Sequence, residues 1–482
     1  MTRRARLAAP LLSIVALLGS LPAPAAATVG SSRSFSYAYS VVATGTLNRA
    51  LTTMRLDQTL TITAPDTGLN TVVLAVEAQA FRAWTTISTA VDGVPTSAVS
   101  WTGTMGLRFD LSASPWAPGS THTISLAGLI DWTKSTDTQG HLRRIGSGTT
   151  IGSSLVLTAG DQLPLPIEHA YYPTFSDAVS AFPARSITFT LVSPVDLPTA
   201  GVAMAGTRVS GTPASAGRTW TYQIENARSY ALAIGMRYGR TSRTISLPSA
   251  AGGSRPVVVS AFGATASGRA ADLSATVFAL QKMSAKFGAG PYADYKVIAA
   301  SAGGFAHEFS GAAFIGNSFT GANRTAVVRH EVAHQWFYAL VASDQAADGW
   351  MDESLSTFSE NRIAGYTKFY RPGNCSRPID GPNRPTTDYY RSFFGTNSLW
   401  ECVYLRGNRF WMTVGQTIGF TKLEGCLRGY VQSNRFATPG PVVLAQALVD
   451  CDKRVLTILN PAPRVYPYLS RGTVDAIVRA AP

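Results

Sequence analysis

Apolar and polar positions along this chain follow two different periods. From about residue 35 to 235 the runs are short, rich in Thr, Val, Ser and Ala, and broken by Gly, Pro, Asp and Asn; T-L-T-I-T-A-P-D-T-G at 59–68 is representative, with similar runs at 71–78, 122–128, 186–191 and 230–235. Neighbouring residues of a strand face opposite sides of a sheet, and β-branched residues suit that pleated surface, so this part predicts an antiparallel β-domain over 28–235. From Ala271 the stretch A-D-L-S-A-T-V-F-A-L-Q-K-M-S-A-K-F has helical spacing and stops at Gly288. Y-x-x-Y-K-V-I at 292–298 alternates partly and reads as one strand, after which helical spacing dominates. The expectation is an α+β protein whose second, mainly helical domain covers 236–482, with the Gly/Ser/Pro stretch 247–256 just inside it. No internal repeat or low-complexity tract interrupts the pattern.

The helical part carries H-E-V-A-H at 330–334. Helical residues four apart share a face, so His330 and His334 can offer two imidazole nitrogens to one metal ion, with Glu331 beside them. Val327, Val328, Val332 and the run from Trp336 to Leu340 make this helix largely apolar. Two His and a Glu inside such surroundings are costly unless paired or metal-bound. A catalytic Zn²⁺ takes three protein ligands and keeps a fourth position for water. Glu353, after a gap of eighteen residues from His334, supplies the third. Glu360 follows seven residues later on the same helical face, placed to accept the outer ring N–H of a ligand His. One zinc ion would lower the pKa of its water from ~15.7 to about 7, and Glu331 is placed as general base. The implied chemistry is peptide-bond hydrolysis.

H-E-V-A-H-Q-W-F, the eighteen-residue gap and W-M-D-E-S together resemble the gluzincin aminopeptidases of the membrane-alanyl-aminopeptidase type; thermolysin-like enzymes have a longer gap. Fifty-one residues after Glu353, V-Y-L-R-G-N at 403–408 looks like the family's Tyr-x-Lys-Gly segment. G-G-F-A-H-E-F-S-G-A-A-F-I at 303–315 looks like a degenerate Gly-x-Met-Glu-Asn strand. The resemblance implies a thermolysin-like catalytic domain, Tyr404 as oxyanion stabiliser and Glu308 as the group that binds a substrate's α-amino end. Departures occur at Ala306 and His307, in the missing Asn after Glu308, at Ser354 in place of Gly, and at Arg406 in place of Lys. Zinc hydrolysis is expected to survive these changes better than strict aminopeptidase specificity. The family's helical C-terminal domain is expected to be missing, which opens the cleft. An aminopeptidase acting on peptides or proteins is the first expectation; a zinc endopeptidase and a catalytically silent peptide-binding relative are the alternatives.

The N-terminus adds a destination. Arg3, Arg4 and Arg6 precede an apolar run from Leu11 to Leu21 and then P-A-P-A-A-A-T, the pattern of a signal peptide over 1–27 cut after Ala27. The run is too short to read as a membrane span and no other reaches spanning length, so a secreted protein without stable membrane insertion is expected. Hydrophobic residues at 45% against 14% charged leave enough apolar surface for large cores. Net charge is +13, or +10 without the three leader arginines, and the basic residues are scattered, which argues against a nucleic-acid partner. Four Cys in an exported chain favour two disulfides. Of three connectivities, Cys375 with Cys402 and Cys426 with Cys451 closes the shortest loops and ranks first. His307 is expected to be a solvated loop residue, His122, His141 and His169 structural, Trp336, Phe337 and Tyr338 core or pocket wall, and Asp348 and Asp352 helix caps.

Overall fold

A computed structural model of the chain describes residues 37–137, 140–167, 183–211, 217–300, 305–343, 345–368, 400–459 and 471–480, together with Cys375, Ile379 and Leu469. The expected signal peptide with its cleavage site at Ala27, and His169, lie outside the described residues.

Period-two patterning produces the β-rich part as expected. In Thr53–Thr63 the inward positions are Met54, Leu56, Gln58, Leu60 and Ile62, while Arg55, Asp57, Thr59 and Thr61 face outward. Eight strands form the largest sheet, in the order Thr207–Gly211, Gly217–Ala227, Ala184–Leu197, Ala38–Leu47, Thr53–Thr63, Thr121–Asp131, Trp84–Val91, Val94–Pro95. The expected antiparallel pairing holds with one exception: Ala38–Leu47 runs parallel to Ala184–Leu197. Strands joined by a tight turn must be antiparallel, whereas these two are joined by most of the domain and carry no such constraint.

A second sheet of five strands, ordered Gly239–Pro248, Ser254–Gly263, Asp294–Ala300, Ala312–Gly316, Ala306–Phe309, ties the β-rich part to the helices. Phe262, Ile298 and Phe314 on one face join the core of the β-rich part. Val259, Val297, Ala313 and Ile315 on the other face join the helical core. A strand buried on both faces reads as a continuous apolar run, as A-A-F-I at 312–315 does. The 247–256 stretch holds the hairpin turn of this sheet.

The long helix spans Ala266–Phe287 and starts ahead of the expected Ala271, because Thr265 accepts a hydrogen bond from the Gly268 amide and caps a first turn that has no apolar periodicity. It ends at Gly288, whose φ of 88° suits a residue without Cβ. The motif helix Gly321–Ala333 is bound to it by Arg324, which donates to both oxygens of the buried Asp272 at 2.7 Å. Trp336, Phe337 and Tyr338 are buried, as expected. Both disulfides have the sequential connectivity, Cys375–Cys402 and Cys426–Cys451. Among the described residues no helix is long and apolar enough to cross a membrane.

Candidate metal centre

The motif helix ends at Ala333, so His330 stands on its last turn and His334 is its C-cap, and the helix Glu353–Ile363 begins opposite them with Glu353. The two Nε2 atoms are 3.0 Å apart, and Glu353 Oε2 lies 3.0 Å from that of His330 and 3.4 Å from that of His334. Two imidazoles and one carboxylate therefore converge their lone pairs on one point, and the three donor atoms lie within 4.8 Å of one another. This His, His, Glu set fits the three protein ligands of a catalytic zinc.

The outer ring nitrogens are also held. His334 Nδ1 lies 2.5 Å from Asp352 Oδ1 and 3.1 Å from Ser356 Oγ. His330 Nδ1 lies 3.6 Å from Glu360 Oε2. A carboxylate on Nδ1 fixes the proton there and leaves Nε2 free to coordinate. Asp352 thus departs from the capping role expected of it. It occupies the N-cap position but makes no side-chain cap bond; its other oxygen accepts from Gln345 Nε2. Removing this support with Asp352→Ala is expected to weaken zinc binding ~10–100-fold, read by competition against a chelator. Equal affinities of the two proteins would remove Asp352 from the site.

Electrostatics favour a cation at the centre. Burial lowers the His330 pKa, but the hydrogen bond to Glu353 and the nearby Glu360 carboxylate outweigh it and hold it up at about 10. Burial likewise opposes the charge on His334, yet Glu308, Asp352 and Glu353 raise it well above the usual imidazole range. Burial would raise Glu353, but the two imidazoles hold it well below the usual carboxylate range. Four buried carboxylates, Glu308, Glu331, Asp352 and Glu353, crowd two rings, an excess of negative charge that a divalent ion neutralises. Glu331 differs from His330, His334 and Glu353. Burial pushes its carboxyl up to about 7 against the opposing charge of His330 and His334, and its Oε2 makes no hydrogen bond among the described residues.

The remaining candidates gather around this cluster. Tyr404 stacks on the His330 ring with centroids 5.7 Å apart and an interplanar angle of 19°. Glu308 stands on the edge strand Ala306–Phe309, its Oε1 4.0 Å from His334 Nδ1 and accepting from Gln345 Nε2 at 3.3 Å. With Glu331 and His334 it forms a second group of possible cation ligands. His307 is not the solvated loop residue expected. It is buried on the same strand, against the rings of His141, Phe305 and Phe309, with Nε2 3.4 Å from Asp161 Oδ2. His141 is equally buried, and burial together with the charge of His307 holds its pKa well below the usual value. Gln345 and Asp161 escaped the sequence reading because only the fold brings them near; Asp352 had a local signal, a carboxylate directly before the third ligand.

No protein-family model and no curated protein matches the sequence. Solved structures do. The M1 zinc metallopeptidase from Deinococcus radiodurans superposes with a TM-score of 0.60 at 17% identity, covering 91% of this chain and 97% of that one. A mutant of the Deinococcus radiodurans M1 enzyme superposes with a TM-score of 0.60 at 18% identity, covering 89% and 96%. A mutant bound to a Tyr-Ser-Ala substrate superposes with the same score at 17% identity, covering 90% and 96%. The chain has the M1-type gluzincin fold, an N-terminal β-region followed by a mainly helical part.

Proposed function

We propose that the chain is an exported, zinc-dependent metallopeptidase acting as an aminopeptidase, with a signal peptide at 1–27, a β-domain over 28–235 and a thermolysin-like catalytic domain over 236–482. The observation that carries this reading is the convergence of His330, His334 and Glu353 with Glu331 beside them. Support comes also from the M1 neighbours, one of which holds Tyr-Ser-Ala and another L-tryptophan. Two disulfides suit an oxidising compartment outside the cytoplasm.

Zinc held by His330, His334 and Glu353 supplies Lewis acidity, lowering the pKa of water and polarising a carbonyl. Asp352 and Glu360 keep the two imidazoles turned inward. Glu331 takes the proton of the attacking water and returns it to the amine nitrogen as the C–N bond breaks. Tyr404 donates its hydroxyl hydrogen to the oxyanion as it forms. Glu308 accepts from the substrate's α-ammonium and so fixes the first peptide bond over the ligand cluster.

The direction of attack is the testable part. Free-amino peptides are expected to lose one residue at a time from the N-terminus. N-acetylation removes the ammonium charge, so Glu308→Ala should lower kcat/KM for free peptides far more than for acetylated ones. Cleavage positions in a mixed peptide library, read by mass spectrometry, check this. Equal cleavage of acetylated and free peptides at internal bonds would make the enzyme an endopeptidase.

A further inference from the structure

Tyr404 lies on the segment Trp400–Arg406, which winds in wide π-helical turns. Such turns are tolerated where neighbours over-determine them, and they recur at functional positions. Here three contacts grip the segment from outside the metal cluster. Cys402, two residues before Tyr404, is fully buried and disulfide-bonded to Cys375. Arg406, two residues after it, is buried and donates through Nη1 to the Cys375 carbonyl. The segment is therefore bound to the same residue on both sides of Tyr404.

The third contact joins this segment to the metal ligands. Gly407 abuts Ser354, the residue next to Glu353, so closely that a Cβ on Gly407 would overlap the Ser354 side chain. Ser354 cannot easily move aside: its Oγ accepts from Trp411 Nε1 at 2.8 Å and donates to the Trp350 carbonyl. Trp350 and Trp411 are both fully buried and stack on each other. The side chain that Gly407 lacks is thus the space Ser354 fills. This contact sets how far the start of the Glu353 helix stands from the Tyr404 segment.

We propose that Ser354, Gly407, Arg406 and the Cys375–Cys402 disulfide are positioning residues that hold Tyr404 on the His330 ring, so that loosening them slows turnover and spares metal and substrate binding. The proposal rests on the oxyanion role given to Tyr404 above. A misplacement of about 1 Å is enough to cost on the order of 10²-fold in rate, which sets the size of the expected effect.

The test measures kcat, KM and bound zinc for Gly407→Ala, for Gly407→Ala with Ser354→Gly, and for the Cys375→Ala/Cys402→Ala protein, each with Tyr404 intact and in the Tyr404→Phe background. Gly407→Ala is expected to lower kcat by ~10–100-fold with KM and zinc content unchanged. Ser354→Gly should restore most of that loss, since removing the hydroxymethyl group makes room for the new methyl. In the Tyr404→Phe background neither the alanine nor the missing disulfide should lower kcat much further. Losses that simply add to that of Tyr404→Phe, or that come with lost zinc, would overturn the proposal, because the contacts would then act on something other than the hydroxyl. Should Gly407→Ala fail to fold, the Cys375→Ala/Cys402→Ala protein carries the same comparison. An unmutated protein that cleaves no peptide would instead refute the peptidase reading, and an active one indifferent to Tyr404→Phe would refute the role of Tyr404.

Discussion

Glu331→Gln is expected to lower kcat by roughly 10²–10⁴-fold while the protein keeps its zinc. The substitution preserves the shape of a side chain that is buried beside the ligands, and His330, His334 and Glu353 are untouched. What it removes is a proton acceptor. The Glu331 carboxyl is buried beside the cluster, and its Oε2 has no hydrogen-bond partner among the described residues to compete for the proton. Zinc per chain measured by atomic absorption, alongside peptide turnover, checks the outcome. Turnover above a few per cent of the unmutated value, with contaminating peptidase excluded, would remove Glu331 from the mechanism. Zinc lost together with activity would make it a ligand instead.

The second large effect is expected at Tyr404→Phe, a loss of about 10²–10³-fold in kcat with little change in KM. The phenol ring is held by stacking on His330 and by contact with Trp400, and a Phe keeps both faces of that packing. Only the hydroxyl is lost, and it acts only when negative charge develops on the carbonyl oxygen. Steady-state kinetics on a free-amino peptide separate the two parameters. A loss confined to KM would give the hydroxyl to substrate binding, and an unchanged kcat would give the oxyanion to another group.

How much of this was legible in the chain follows from the range of each signal. The motif needs only five consecutive residues on a helix, and the third member of the cluster a fixed short gap, so His330, Glu331, His334 and Glu353 could be picked out before any fold was known. Strand patterning in T-L-T-I-T is likewise local. Asp352 was visible but misread, because a carboxylate before a helix normally caps it, and only the position of His334 draws the side chain away. His307 was misread for the complementary reason. Its neighbours in sequence say loop, while its neighbours in space are His141 and Asp161 from the β-rich part.

By itself the sequence determined what period and spacing can encode: a β-rich part followed by helices, and a helix able to carry two imidazoles on one face. The tertiary structure alone decided which distant groups meet. It placed one parallel pair inside an otherwise antiparallel sheet, selected the sequential cysteine pairing, turned Asp352 onto the outer nitrogen of His334, and brought Tyr404 onto His330. It also set Gly407 against Ser354. Periodicity fixes which face a residue occupies within its own element. Contacts between elements depend on how whole faces pack, and that is a property of the complete chain rather than of any segment in it.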